Sequence, residues 1–232
     1  MSASLAPSPA SLTAGQNIAE LFLQQTRANP TGEGIVERKD AIRRSITFGE
    51  LELRTARIAN ALAGEGVGPG DRVALFVPPG IDFVAITWGL FRLGAIPVLA
   101  DPGMGRKRLL AALERTAPTV MIGVGRALLA KCLFPKAFRS VKKVFGVGRL
   151  LPGLGRSLAK LEGLSPADSV LHPVQVNDTA AILFTSGSTG APKGVPITHG
   201  QLAAEVQGLR ETLGFAPGER DLCGLPAFAL FD

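Results

Sequence analysis

Residues 180–194 read Ala-Ala-Ile-Leu-Phe-Thr-Ser-Gly-Ser-Thr-Gly-Ala-Pro-Lys-Gly, a short apolar run followed by a loop of unusual composition. The run 180–184 is typical of a strand that is buried on both faces. The ten residues after it contain four hydroxyl side chains, three glycines and Lys193. Glycine lets backbone N–H groups approach an anion, hydroxyls donate further hydrogen bonds, and lysine adds a positive charge. The order therefore predicts a phosphate-binding loop directly after a buried strand.

Two other interpretations of this loop are a Walker A loop and a flexible surface segment. A Walker A loop needs Gly-Lys followed by Ser or Thr, whereas Lys193 stands between Pro192 and Gly194. That order argues against a kinase or P-loop NTPase. The loop could also be a flexible surface segment of small residues, but a solvated loop has no need of this order of hydroxyls, glycines, proline and lysine after a strand.

Upstream of the loop, helix and strand patterns alternate, which is typical of an α/β fold with a largely parallel sheet. Thr47 and Glu50 form a capping-box pattern that opens a helix through about Ala63. Residues 81–93 are apolar on nearly all sides, which predicts a buried helix, and Gly94 suits its C-terminal cap. Other predicted elements are strands at 72–77, 96–99 and 119–123 and a helix at 107–115.

The remaining segments are less uniform. Residues 127–164 mix apolar and basic residues without a clear period, and their glycines are interpreted as turn glycines, since no strand-turn-helix spacing accompanies them (Gly146, Gly148, Gly153, Gly155). After the loop, Thr198 is predicted to cap a helix. The core face of that helix is predicted from helical spacing (Leu202, Val206, Leu209, Leu213).

Composition supports a globular chain, with 46% apolar and 19% charged residues. Residues 1–15 are the exception, being uncharged and rich in Ser, Ala and Pro, and are predicted to be a disordered tail. The most apolar stretch, residues 83–91, is too short to span a bilayer. Cys132 and Cys223 are far apart without a CxxC pattern, which favours free thiols in a reducing cytoplasm and no metal site.

Charge is distributed unevenly along the chain. Residues 102–160 hold thirteen Lys or Arg and one acid, Glu114, so that this segment has a net charge of +12 and the remainder a net charge of −6. This basic segment, 102–160, suggests an anionic partner such as a membrane surface or an acidic partner enzyme, and nucleic acid is not expected. Solvated helix faces explain the same charges equally well.

Residues 185–194 resemble the phosphate-binding signature of the superfamily that contains acyl-CoA synthetases, luciferases and nonribosomal peptide synthetase adenylation domains. Three upstream segments are similar in order and spacing to that family (46–51, 68–73, 91–102). The resemblance runs from about Asn17 to Asp232. It implies the N-terminal part of the adenylate-forming large domain, an α/β unit with a mostly parallel sheet flanked by helices. Residues 16–232 would then be an incomplete adenylation (AMP-binding) domain.

The resemblance also implies an activity. Such a ligase uses ATP and Mg²⁺ to convert a carboxylic acid into an acyl-adenylate, with release of pyrophosphate. Matched motif positions would bind the β- and γ-phosphates, with Thr189 and Lys193 in the catalytic role (Thr185, Ser186, Gly187, Ser188, Thr189, Gly190, Lys193). The family's acidic Mg²⁺ ligand, adenine pocket, ribose-binding aspartate and C-terminal domain have no counterpart here, so the chain is expected to be a fragment that is inactive alone.

A finer resemblance concerns the acceptor. Residues 225–232 carry Ala229 where many acyl-CoA synthetases have histidine, and with residues 99–105 they resemble the branch that forms β-lactones from long-chain β-hydroxy acids in bacterial olefin biosynthesis. The substrate would be fatty acid-like and the location cytoplasmic, with or without membrane association. A long-chain fatty acyl-CoA ligase, which needs coenzyme A, is the first alternative. A truncated, non-catalytic binding module is the second.

Overall fold

The computed structural model describes residues 17–39, 41–100, 102–168, 171–185, 192–214 and 218–221, with only the backbone described at positions 39, 102 and 185. Its helices are α1 (Ala19–Ala28), α2 (Phe48–Gly64), α3 (Ile81–Arg92), α4 (Arg106–Thr116), α5 (Gly125–Leu133), α6 (Leu158–Leu164) and α7 (His199–Leu213). Its strands are β1 (Glu33–Lys39), β2 (Ile42–Thr47), β3 (Arg72–Phe76), β4 (Ile96–Leu99), β5 (Val120–Val124), β6 (Lys143–Val147), β7 (Arg156–Ser157), β8 (Thr179–Thr185) and β9 (Lys193–Thr198).

The described strands form a central sheet in the order β7-β6-β5-β3-β4-β8-β9 and a separate antiparallel hairpin of β1 and β2. Neighbouring strands of the central sheet run parallel from β7 through β8, and only β9 is antiparallel to its neighbour. This arrangement confirms the predicted α/β class and its mostly parallel sheet. It also places the carboxyl ends of the parallel strands at one edge.

Helices cover both faces of the sheet. Val73 and Leu75 of β3 pack with α2 and α3 on one face, together with Leu158 of α6. On the other face, Ala74 of the same strand and Met121 of β5 pack against α4 and α5. Alternate residues of each central strand therefore enter different cores, which is why these strands are apolar at nearly every position.

The two helices predicted most clearly from sequence are confirmed. The Thr47 hydroxyl accepts a hydrogen bond from the Glu50 N–H at 3.2 Å, and the Glu50 carboxylate accepts one from the Thr47 N–H at 2.9 Å, which completes the capping box of α2. Every residue of α3 is buried or half-buried. Gly94 ends that helix with a φ of +66°, a conformation that favours glycine.

The segment 127–164 contains most of α5 and all of β6, β7 and α6, which sequence periodicity did not reveal. Gly148 and Gly153 have positive φ in the connection between β6 and β7, as expected of turn glycines. Gly146 differs, because it lies inside β6 and is buried. A Cβ there would lie 2.2 Å from Leu150, so absence of a side chain, rather than a turn, explains this glycine.

The predicted core face of α7 is wrong over most of its length. Leu202 is half-buried against α1 and α3, but Val206, Leu209 and Leu213 are 43%, 47% and 58% exposed. Helical spacing shows that a helix has an apolar face, and it does not show which element covers that face. Among the described residues, none covers α7 beyond its first turn and a half.

Several predictions concern residues outside the described ranges: the disordered tail at 1–15, the thiol of Cys223, and the segment 225–232 with Ala229. Within the described ranges, no helix combines the length and the apolar character that crossing a bilayer requires. Cys132 is a free, exposed thiol.

Candidate functional site

The two described ends of the predicted phosphate-binding motif lie at the carboxyl edge of the sheet. Residues 186–192 connect the end of β8 to the start of β9, and Thr185 pairs with Lys193 across the two strands. Because β8 runs parallel to β3, β4 and β5, its carboxyl end shares an edge with theirs. Open α/β sheets bind ligands at this edge. The motif is therefore at the position where such a fold places a ligand.

Two of the predicted phosphate-binding residues belong to the described structure. The backbone of Thr185 ends β8, and Lys193 begins β9 with an exposed side chain. Pairing of their Cα positions brings the two ends of the motif together. The other predicted residues lie outside the described ranges, so that their contacts with phosphate stay a prediction (Ser186, Gly187, Ser188, Thr189, Gly190).

The base of the motif rests on a small apolar core. Ile182 and Phe184 of β8 pack with Val98 of β4 and Ala112 of α4. A Cβ on Gly194 would lie 3.2 Å from the Ile182 side chain and 3.3 Å from the Phe184 ring. Glycine at the end of the motif therefore lets β9 lie against these two side chains, which holds both strands of the hairpin in place.

Arg115, a residue that the motif does not contain, contacts the same region. Its Nη1 donates a hydrogen bond to the carbonyl oxygen of Pro192 at 3.4 Å. Arg115 belongs to the last turn of α4, and its side chain is exposed. The guanidinium therefore adds a second positive charge next to Lys193. No local pattern distinguishes Arg115 from the other cations of the basic segment, since the contact depends on how α4 packs.

A cavity of about 690 Å³ opens at the same edge, between the carboxyl ends of β3, β4 and β5 and the helices α4 and α5. This position is a topological switch point of the sheet, because α3 follows β3 on one face and α5 follows the adjacent β5 on the other. The walls are mainly apolar, with Phe76, Leu110 and Phe134 among them. Arg106 and Arg126 also line the cavity, and the Arg106 guanidinium lies 5.7 Å from the centre of the Phe134 ring.

Two buried polar side chains at the amino edge of the sheet, away from the motif, have structural partners. Nδ1 of His199 accepts a hydrogen bond from the Ile18 N–H at 3.2 Å, and the ring packs edge-on against Phe91. Burial lowers the pKa of His199, and Asp178 opposes this effect in part. Arg92 donates to the Thr55 hydroxyl at 2.9 Å, and burial lowers its pKa as well.

In the described ranges, no three His, Cys, Asp or Glu side chains come together in a group that could hold a metal ion. Lys193 and a loop of hydroxyls and backbone N–H groups fit the phosphate oxygens of ATP. Mg²⁺ prefers carboxylate, phosphate and water oxygens, and the motif contains no carboxylate. A magnesium ion would therefore be held largely by the phosphate oxygens of the nucleotide.

Comparison with known proteins defines the class. The AMP-binding enzyme family matches residues 23–232, and the chain belongs to this family. Enzymes of this family use ATP with Mg²⁺ to form acyl-adenylates. An acetoacetyl-CoA synthetase from Streptomyces lividans has the same fold, with a TM-score of 0.80 and 22% identity over 88% of this chain and 34% of that one. This structural likeness shows that the two chains share a fold.

Among curated relatives, the chain is 39% identical over 189 residues to an olefin beta-lactone synthetase from Stenotrophomonas maltophilia. It is 32% identical over 184 residues to a feruloyl-CoA synthase from an Amycolatopsis species. The two matches cover 81% and 79% of this chain, respectively, and 34% of each relative. The chain therefore spans about a third of the length of these relatives.

Proposed function

We propose that the protein containing this chain activates a carboxylic acid with ATP, forming an acyl-adenylate and pyrophosphate. The observation that carries the proposal is the motif 185–194, whose two ends are paired at the carboxyl edge of a parallel sheet. Residues 16–232 are taken as the N-terminal portion of the adenylation domain. An acid ligase, a CoA ligase and a lactone synthetase would all share this first step.

In the proposed reaction the substrate carboxylate oxygen attacks the α-phosphorus of ATP. An acyl–oxygen–phosphorus bond forms, the bond between the α-phosphorus and the bridging oxygen breaks, and pyrophosphate leaves with the electron pair. The protein supplies no nucleophile. Its task is to stabilise the charge that develops on the leaving group, which preorganised donors and cations do well.

Lys193 and the hydroxyls and backbone N–H groups of the motif are the proposed donors to the β- and γ-phosphates. Thr189 and Lys193 are proposed to stabilise the departing pyrophosphate, and the Arg115 side chain adds positive charge beside Pro192. Mg²⁺ bound to the nucleotide would supply further charge neutralisation. The carbonyl contact at Pro192 supports the start of β9 and therefore the position of Lys193.

The proposed acid is long-chain and β-hydroxylated, and the proposed product is a β-lactone. The 39% identity to a beta-lactone synthetase supports this choice. The apolar cavity of about 690 Å³ beside β4 is large enough for a hydrocarbon substituent, since small-molecule sites commonly occupy 300–1,000 Å³. A hydroxyl tethered to the activated acyl group has a high effective concentration, so that ring closure needs no external thiol.

A coenzyme A ligase is the second candidate, and the 32% identity to a feruloyl-CoA synthase favours it. In that case the thiol of coenzyme A attacks the acyl-adenylate and releases AMP as a thioester forms. The two candidates differ only in the acceptor. Their products therefore distinguish them directly.

The proposed surroundings are the cytoplasm, consistent with the free thiol of Cys132, and an anionic membrane surface or acidic partner enzyme that the basic segment contacts. Exposed leucines accompany the cations of this segment, with Leu133 and Leu151 exposed by 71% and 60%. Cations next to exposed apolar side chains favour adsorption to an anionic lipid surface. The carboxylic acid would be delivered from that surface.

A chimera provides the test, with this chain replacing the matching third of the Stenotrophomonas relative. We expect acid-dependent exchange of radioactive pyrophosphate into ATP, with the intact relative as positive control. Mass spectrometry with and without coenzyme A then identifies the product. A lactone in both reactions supports the lactone proposal, and a thioester that needs coenzyme A supports the ligase. A folded chimera that exchanges no pyrophosphate with any acid in a panel would reject the proposed function.

A further inference from the structure

A second concavity lies at the opposite end of the sheet from the phosphate-binding motif. It has a volume of about 390 Å³ and is formed by the end of α5, the start of β6 and the residues that lead into β7. Because β6 and β7 run parallel to β5, their starts lie at the amino edge, whereas the motif lies at the carboxyl edge. This concavity, the amino-edge pocket, is therefore separate from the proposed ATP site.

The amino-edge pocket is strongly basic. Four cations line it, together with one carboxylate, that of Glu65 (Lys131, Lys142, Lys143, Arg156). Two of these cations have local partners, since Arg156 forms an ion pair with Glu65 and Lys143 donates to the Gly66 carbonyl oxygen. The ammonium groups of Lys131 and Lys142 have no ion-pair partner in the part of the chain that the structure describes.

Concave shape distinguishes this cluster from the rest of the basic segment. Lys131 is half-buried in the wall of this pocket. Cations that converge on a concave surface focus the field, whereas cations on a convex helix face are screened by water and salt. The volume also falls within the usual range of small-molecule sites.

We propose that the amino-edge pocket binds a small, soluble, phosphate-bearing anion. Lys131 and Lys142 contact its phosphate oxygens, and Arg156 can exchange its partner Glu65 for the ligand. Phosphate is favoured over a carboxylate ligand because several cations converge on one pocket, and a polyanion satisfies more of them. The proposal goes beyond the proposed function and does not depend on it.

The exposed thiol of Cys132 lines the same pocket and serves as a reporter. In a C223S background, the rate at which a disulfide reagent labels Cys132 measures access to the pocket. We expect pyrophosphate to slow labelling by about threefold or more with saturation, since a bound ligand covers the thiol. Sodium chloride at equal ionic strength should have a smaller effect without saturation.

Substitutions test the assignment. The double variant K131Q/K142Q should weaken pyrophosphate binding about tenfold or more, because it removes two charge-assisted contacts. The matched control R139Q/R149Q removes two exposed cations of the basic segment that do not line the pocket and should leave binding unchanged. Calorimetric titration of the same variants gives the affinity independently of the thiol. K193A, which affects the proposed ATP site, should not alter the protection of Cys132.

Three outcomes would overturn the proposal. The first is labelling that follows ionic strength alone, with calorimetry showing no saturable binding. The second is an equal loss of affinity in K131Q/K142Q and R139Q/R149Q, which would indicate nonspecific attraction. The third is protection by phosphatidic acid vesicles but not by pyrophosphate or inorganic phosphate, which would assign the pocket to a lipid headgroup. Absence of pyrophosphate exchange in the folded chimera would instead reject the proposed function and would leave the proposal for the amino-edge pocket standing.

Discussion

Lys193 is the residue on which the proposed chemistry depends most directly. It starts β9 opposite the end of β8, with its side chain exposed at the carboxyl edge of the sheet. In the chimera, we expect K193A or T189A to lower pyrophosphate exchange about tenfold or more, equivalent to about 1.4 kcal/mol of transition-state stabilisation. K160A removes an exposed lysine of α6 and is the matched control. Unchanged exchange in both motif variants would show that phosphate binds elsewhere.

His199 makes the stability of the chain depend on pH. Burial lowers its pKa in the folded state, so the folded chain holds the ring neutral while the unfolded chain protonates it at about pH 6.5. The resulting stabilisation is complete above that value and is lost as the pH falls below it. We therefore expect the urea concentration at the unfolding midpoint to decrease as the pH is lowered from 7.5 to 5.5.

The variant H199N separates this contribution from other effects of acid. Asparagine keeps an acceptor for the Ile18 N–H but does not titrate, so the decline of the urea midpoint below about pH 6.5 should become smaller. H172N changes the other histidine of the chain and should retain the decline. An identical pH profile in wild type and H199N would rule out His199 as the cause.

At the scale of elements, the close approach of α2 and α3 depends on one glycine. A Cβ on Gly89 would lie 2.8 Å from Ile58 Cγ2 and 3.3 Å from the carbonyl oxygen of Thr55. We expect G89A to lower the free energy of unfolding by about 1–3 kcal/mol, because overpacking outweighs the better helix propensity of alanine. Denaturant unfolding of wild type and G89A would measure this difference in the free energy of unfolding.

The matched control is G64A in the last position of α2. A Cβ there would meet nothing within 4 Å, so only the backbone propensity should change. Alanine should then be neutral or stabilise the chain by up to about 1 kcal/mol. If G89A and G64A had the same effect, the tight contact between α2 and α3 would not explain the glycine at position 89.

Predictability from sequence differed among elements for physical reasons. α2 and α3 were predicted because a capping box and a glycine cap are local signals that the folded chain uses directly. β7, only two residues long, and α6, seven residues long, are too short to show a period, and their positions depend on pairing with β6 and packing against α2. α7 showed the spacing of an amphipathic helix, yet spacing alone did not indicate a covering element.

At the scale of the whole molecule, one part of the candidate site was predictable from the sequence and another part was not. The motif 185–194 was predictable because its residue types and their order indicate phosphate binding by themselves, and all of them lie in one contiguous segment. The apolar cavity was not, since its walls come from strands and helices spread over residues 75–138 that only the folded topology brings together. Arg115 was missed for the same reason.

The exposed face of α7 has a consequence for the whole chain. Val206, Leu209 and Leu213 form an apolar stripe that no described residue covers, and contiguous exposed apolar surface promotes association. We expect the purified chain to be oligomeric or poorly soluble, and V206Q/L209Q to shift it toward monomer in light scattering. The matched variant L164Q changes a leucine of α6 that is 78% exposed and should not have this effect. A monodisperse wild-type monomer that melts cooperatively would show that the stripe does not drive association.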